Sequence, residues 1–336
     1  MSRQVLCCGY IIILRAWKNK RSGGITEARY SVINYNELKD RIINILYKIS
    51  IVVIIVLGIW VMTIGVRICC ATSFHIPTDS MSPAILPGDN VLAEKLSLGG
   101  RIFNIFDAAD GKPVKIRRLP ALSSLKRNDV VVFNFPYPES WDSIGAPIGR
   151  YYGKRCIALP GDTLEIRGGE YSVRGYDGTL GDPEGQAELK CRLNDITADS
   201  VARSIGICLD AWPQKDSLGW TVLEFGPLYV PASGSVVELD DDNYILYRNY
   251  IEWEQGKKLT RGPDGHFMIG DDPVSQYTFL KDYCFVAGDK SDNSQDSRYW
   301  GLLPYEHICA KAWLIWKSVD PNTDQPRRDR RGMKIK

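Results

Sequence analysis

The chain has 336 residues, which is room for one large domain or two modest ones. Apolar residues make up 44% of it and aromatic residues 10%, enough for a packed core. With 42 basic and 40 acidic residues the formal net charge is only +2, which excludes the basic excess of a nucleic-acid-binding protein. Nine cysteines, an odd number, stand in no metal-like spacing. Cys7-Cys8 and Cys69-Cys70 are adjacent pairs beside apolar stretches, which suits small buried or membrane-edge side chains. Cys191 and Cys208 flank a segment expected outside the cytoplasm, and a disulfide between them is left open. His75, His266 and His307 are scattered and there is no HExxH, so no metal and no cofactor are expected.

In chain order, the first clear element is a membrane span. Ile49 to Val66, ISIVVIIVLGIWVMTIGV, is 18 residues without a charge, bracketed by Lys48 and Arg67. At helical rise it covers roughly 27 Å, near the hydrocarbon thickness of a bilayer. It starts too late for a cleaved secretory signal. Arg3, Arg15, Lys18, Lys20, Arg21, Arg29, Lys39, Arg41 and Lys48 precede it, and such an excess normally stays inside. The expectation is a cytoplasmic segment over 1–48, a transmembrane helix over 49–69 and an extracytoplasmic domain over 72–320. Residues 37–48 are expected to continue the helix into the cytoplasm. The apolar patch Val5 to Leu14 is too short for a second span.

Beyond Cys70, short runs rich in Val, Ile, Tyr and Phe alternate with Pro, Gly and Asp. NVLAEKL (90–96), DVVVFNFP (129–136), KRCIAL (154–159), DTLEIRG (162–168) and KAWLIWKS (311–318) read as strands of a mostly β domain. DDDNYILYRNYIEWEQGK (240–257) reads as a helix capped by its Asp cluster. Residues 174–220 read as a loop-rich insertion, and the polar, basic tail 321–336 as disordered.

Three segments carry chemistry. IPTDSMSPAILPGD (76–89) presents Ser80 between prolines that stiffen the turn. A serine is a poor nucleophile without a base, and neither a histidine context nor GxSxG is present here. GKRCIALPGD (153–162) offers Lys154 at the start of an apolar strand. Its ordinary pKa keeps a lysine charged, but burial can depress that pKa by several units and leave a neutral amine able to accept a proton. Arg155 is expected to point the other way. GDKSDNSQDSRYWG (288–301) packs small polar and charged groups into a loop suited to orienting a lysine. It superficially suggests a calcium loop, but position six is Ser294 and position twelve Trp300, which rejects that reading.

In order and spacing, these segments resemble the boxes of the type I signal peptidases. The Ser-Met box is similar to 76–89, the Lys-Arg box to KRCIALPGD, and the final Gly-Asp-Asn…Ser-x-Asp-Ser-Arg box to 288–301. The likeness continues through GLLPYEHICAKAWLIW (301–316) and spans about 50–320, with 174–220 poorly matched. FGPLYVPASG (225–234) resembles members from Bacteroidetes-like bacteria. The resemblance implies a mostly β, signal-peptidase-like catalytic domain with an inserted β-rich cap at about 164–285, behind one transmembrane helix in a bacterial inner membrane. It implies Ser80 as nucleophile and Lys154 as general base. Thr78, with the backbone N–H of Ser80, would form the oxyanion hole, where donors must aim at developing charge. Ser294 would hydrogen-bond the lysine, Asp296 and Arg298 would form a supporting buried ion pair, and Gly288 and Asp289 open that box. The implied substrates are exported pre-proteins with small residues at the first and third positions before the cut, and lipid is the other partner. Three positions depart from the pattern. Lys290 stands where Asn is usual, Asp79 where a small residue is common, and Ala158 where Gly is frequent. Lys290 is expected to depress the Lys154 pKa and Asp79 to raise it. The alternatives are a specialised protease for one cargo and a non-catalytic anchored binding module.

Overall fold

The computed structural model describes residues 4–7, 10–13 and 31–335, apart from 105, 108, 109, 111–113, 115, 146–148, 195, 216 and 264. Leu14 and the basic residues Arg3, Arg15, Lys18, Lys20, Arg21 and Arg29 lie outside the described residues. The chain divides into two compact units, Met1–Gly65 and Val66–Lys336.

In the first unit, Gln4–Cys7, Tyr10–Ile13 and Ser31–Asn34 pair as an antiparallel sheet. Within the apolar patch, residues 5–7 and 10–13 thus lie in strands. Helix α1, Tyr35–Cys69, begins well before the apolar run, as the sequence suggested for 37–48. An uninterrupted helix satisfies its backbone internally, which lipid requires. Its segment Asn36–Arg67 is the one helix among the described residues long and apolar enough to cross a membrane.

The second unit is built on an eight-stranded antiparallel sheet. Its strands are β1 (Ala71–His75), β2 (Asp89–Glu94), β3 (Val130–Asn134), β4 (Tyr151–Ala158), β5 (Tyr283–Ala287), β6 (Leu303–Pro304), β7 (Ile308–Ser318) and β8 (Met333–Lys334). The order is β6-β5-β4-β3-β7-β2-β1, and β8 pairs with β7. The strands β3 and β5 are buried along their whole length, which is why their sequences read as continuous apolar runs.

The region between β4 and β5 holds three small antiparallel sheets and three helices among the described residues. The helices are α2 (Pro183–Arg192), α3 (Asp199–Ser204) and α4 (Asp241–Gln255). α4 starts at Asp240, whose carboxylate accepts from the Asn243 N–H, and stops at left-handed Gly256. Leu164, Phe225 and Ile251 from this region join Ile157 and Phe285 of the large sheet in one hydrophobic cluster.

Two expectations are corrected here. The stretch 174–220 is not merely loop: Asp182 caps α2 and Pro183 occupies its first turn, signals that the surrounding Gly and Asp residues obscured. The tail, expected to be disordered over 321–336, is ordered through its described residues 321–335. Arg330 is buried and paired with the fully buried Asp89 at 2.7 Å, and β8 adds to β7. Composition suggested disorder because the acidic partner of Arg330 lies far back in the chain. Cys191 and Cys208, left open as a disulfide, are both free thiols.

Candidate active site

The Ser80 segment is a loop closed at its base. Ile76 N–H donates to the Asp89 carbonyl at 2.9 Å and Gly88 N–H to the Ile76 carbonyl at 2.8 Å. Met81 and Ile85 are buried against Val91, Val130, Ala312 and Ile315, so the residue after the serine anchors the loop. Asp89 accepts from the Leu86 N–H at 2.8 Å, which closes the turn.

Lys154 lies on β4, opposite Val131 of β3. Only 4% of it is exposed, and its Nζ is hydrogen-bonded to Ser80 Oγ at 2.6 Å. Burial pulls its pKa down from 10.5 to about 8; the nearby Asp296 works against this and Arg298 with it. A neutral amine is therefore accessible in mildly alkaline solution, beside a hydroxyl already in contact.

The third box returns from β5. Gly288 N–H and the Ser294 hydroxyl both donate to Asp296 Oδ2, at 2.9 and 2.7 Å. Arg298 grips Asp296 with Nε and Nη2, each at 2.8 Å, and both residues are fully buried. Burial alone would raise the Asp296 pKa, but the Arg298 guanidinium holds it below the usual carboxylate range. Asp289 forms a bidentate pair with Arg155, both bonds at 2.6 Å.

Several placements differ from the sequence expectation. The Ser294 hydroxyl bonds Asp296 rather than the lysine, because Asp296 lies two residues on and offers a full charge. Lys290 does not act on Lys154 as a lone cation: its ammonium pairs with Asp79 at 2.6 Å. Arg155, expected only to point away, locks the third box to β4. The α2 helix packs on residues 291–293, and Arg192 pairs with Asp292. A Cβ at Gly185 of α2 would collide with the Asp289 carbonyl, so glycine is needed for that approach. Thr78 stands exposed two residues before Ser80. The buried His307, which burial pulls down to about 3, is neutral and packs its ring on Trp253.

A serine held by a buried lysine fits amide hydrolysis, and comparison with known proteins decides which kind. The family described as "Signal peptidase, peptidase S26" matches residues 46–200 and 230–317. The chain belongs to the signal peptidase family, peptidase S26. Curated signal peptidases I resemble it along most of its length. The protein of Buchnera aphidicola (Acyrthosiphon pisum) is 28% identical over 75% of this chain and 70% of its own length. That of Aquifex aeolicus is 25% identical over 75% and 78%. A solved signal peptidase I from Enterococcus faecalis is 16% identical, covers 57% of this chain and 98% of its own, and has a TM-score of 0.24. The match through residue 200 takes α2 into the family region, against the expectation for 174–200, whereas 201–220 fall outside the match as expected. The enzyme is thus a serine endopeptidase that acts on exported precursor proteins bearing signal peptides, and its family is membrane-anchored.

Proposed function

We propose that Ser80 is the nucleophile and Lys154 the general base of signal-peptide cleavage. The carrying observation is the 2.6 Å contact of Lys154 Nζ with Ser80 Oγ in a site whose burial brings the lysine pKa down to about 8. The neutral amine takes the hydroxyl proton as Ser80 Oγ attacks the scissile carbonyl. The resulting ammonium gives that proton to the leaving amine as the C–N bond breaks. The regenerated amine then deprotonates water, which attacks the acyl ester; as the ester C–O bond breaks, the ammonium returns the proton to Ser80 Oγ and both groups are restored. Ser80 N–H and the Thr78 hydroxyl stabilise the oxyanion. Asp296 and Arg298 hold Ser294 and Gly288 behind the dyad, and Asp289 ties them to β4.

Substrates carry small side chains at the first and third positions before the cut. The basic flank of α1 faces the cytoplasm and the catalytic unit the far side of a bacterial inner membrane, following the charge bias. Trp313 and Trp316 are 46% and 43% exposed, and such rings suit a lipid headgroup region. The test is cleavage of a pre-protein by the full chain in detergent. Ser80→Ala and Lys154→Ala are each expected to abolish it, and retained activity in Lys154→Ala would remove the base assignment.

A further inference from the structure

Three carboxylates bias Lys154 toward its charged form: Asp296, Asp289 and Asp79. Each has its own cation. Arg298 binds Asp296 at 2.8 Å, Arg155 binds Asp289 at 2.6 Å, and Lys290 binds Asp79 at 2.6 Å. The first two pairs lie in the shared boxes. The third is formed by two residues that both depart from the usual pattern and that stand 211 positions apart.

The Asp79–Lys290 pair sits at a junction of two loops. Asn293 Nδ2 donates to the other Asp79 oxygen at 3.0 Å. Lys290 N–H donates to the Ser80 carbonyl at 3.1 Å. The nucleophile and the residue before it are thus stapled to 290–293 by three hydrogen bonds. The side chains are 34% and 37% exposed, so the ion pair contributes little to global stability. Stability alone therefore does not account for placing two opposite charges beside the nucleophile.

We propose that Asp79 and Lys290 are positioning residues of the cleavage reaction, a charge-matched clamp that holds the nucleophile loop against the 288–294 loop while screening Lys154 from the Asp79 carboxylate. The proposal rests on the Ser80/Lys154 reading above. Burial is the main influence on Lys154, and the field of Arg298 acts with it. A free Asp79 would favour the ammonium, and a free Lys290 would oppose it. Removing either partner leaves the other's charge uncompensated and moves the pH at which the base becomes available.

The experiment measures kcat/KM against pH for the full chain in detergent. The substrate is a pre-protein with Ala at the first and third positions before the cut. Wild type is compared with Ser80→Ala, Lys290→Met, Asp79→Asn and the double variant. Lys290→Met is expected to move the acid limb up and Asp79→Asn to move it down. Each shift is about half a pH unit, a roughly threefold change in rate on that limb. The double variant is expected to return the limb to its wild-type position with a lower plateau, because the staple is gone. A merely structural pair would lower rates without opposite shifts. Limbs that stay put, or that move in the same direction, overturn the clamp while abolished cleavage in Ser80→Ala leaves the dyad standing. Cleavage surviving in Ser80→Ala overturns the dyad and the clamp with it.

Discussion

Lys154 Nζ meets Ser80 Oγ at 2.6 Å although the two residues are 74 positions apart. The contact joins a buried strand to a half-buried loop, so the amine is shielded while the hydroxyl stays reachable. One consequence concerns pH. The lysine acts as a base only when neutral, and burial brings its pKa to about 8. The kcat/KM of the full chain is expected to rise with pH through an acid limb near 8. A limb near 10 would show that the lysine is not dried by the fold.

The same burial makes Lys154 a cost to folding. Its folded pKa of about 8 lies below the ordinary 10.5, so between those values the unfolded chain binds the proton and the folded chain does not. Stability is therefore expected to rise with pH from 8 to 10.5, and below 8 the penalty is fully present. Lys154→Met is expected to be inactive and yet more stable at pH 7, by on the order of 2 kcal/mol. Thermal melts at pH 7 and pH 10 check this, since the gain should shrink at the higher pH.

Gly288 has no room for a side chain. A Cβ there would lie 2.5 Å from the Ser80 carbonyl and collide with Ser294 Oγ. Gly288→Ala is expected to push the Ser80 loop away and lower kcat by roughly a hundredfold, the scale of a 1 Å misplacement. Steady-state rates beside a melting curve separate this from general unfolding. A variant with wild-type kcat would contradict the packing.

Arg330 neutralises a carboxylate at the base of the Ser80 loop. Asp89 is fully buried, and Arg330 binds it at 2.7 Å and the Ala84 carbonyl at 2.9 Å. Arg330→Met leaves a buried charge unpaired, a loss of about 3 kcal/mol. Burial opposes ionisation of Asp89, but Arg330 and its other donors hold the pKa below the ordinary range. The contribution is thus present above the carboxylate range and lost as pH falls through it. Chemical denaturation of wild type and variant at neutral and acid pH should show the difference narrowing in acid.

The contrast between α4 and the tail shows where sequence reading succeeds. Asp240, the helical spacing after it and Gly256 are local signals, and the helix forms where they indicate. The tail carries local signals of disorder, yet Arg330 is buried because Asp89, 241 positions earlier, is waiting for it. Arg155 was similarly opaque: strand alternation indicated the face opposite Lys154, but not that Asp289 occupies it. Asp79 and Lys290 were visible as two departures of opposite sign, but their pairing with each other was not.

Taken alone, the amino-acid order determined the apolar span, the main strands, the capped helix and the three boxes that mark the family. Each depends on residues close together in the chain, where periodicity, turn chemistry and spacing act. Only the tertiary structure decided which charges pair across 100 to 241 positions, that the basic tail is a structural part, and how far Lys154 is removed from water. Those outcomes depend on solvent exclusion and long-range contact, which exist only once distant strands and loops have packed together.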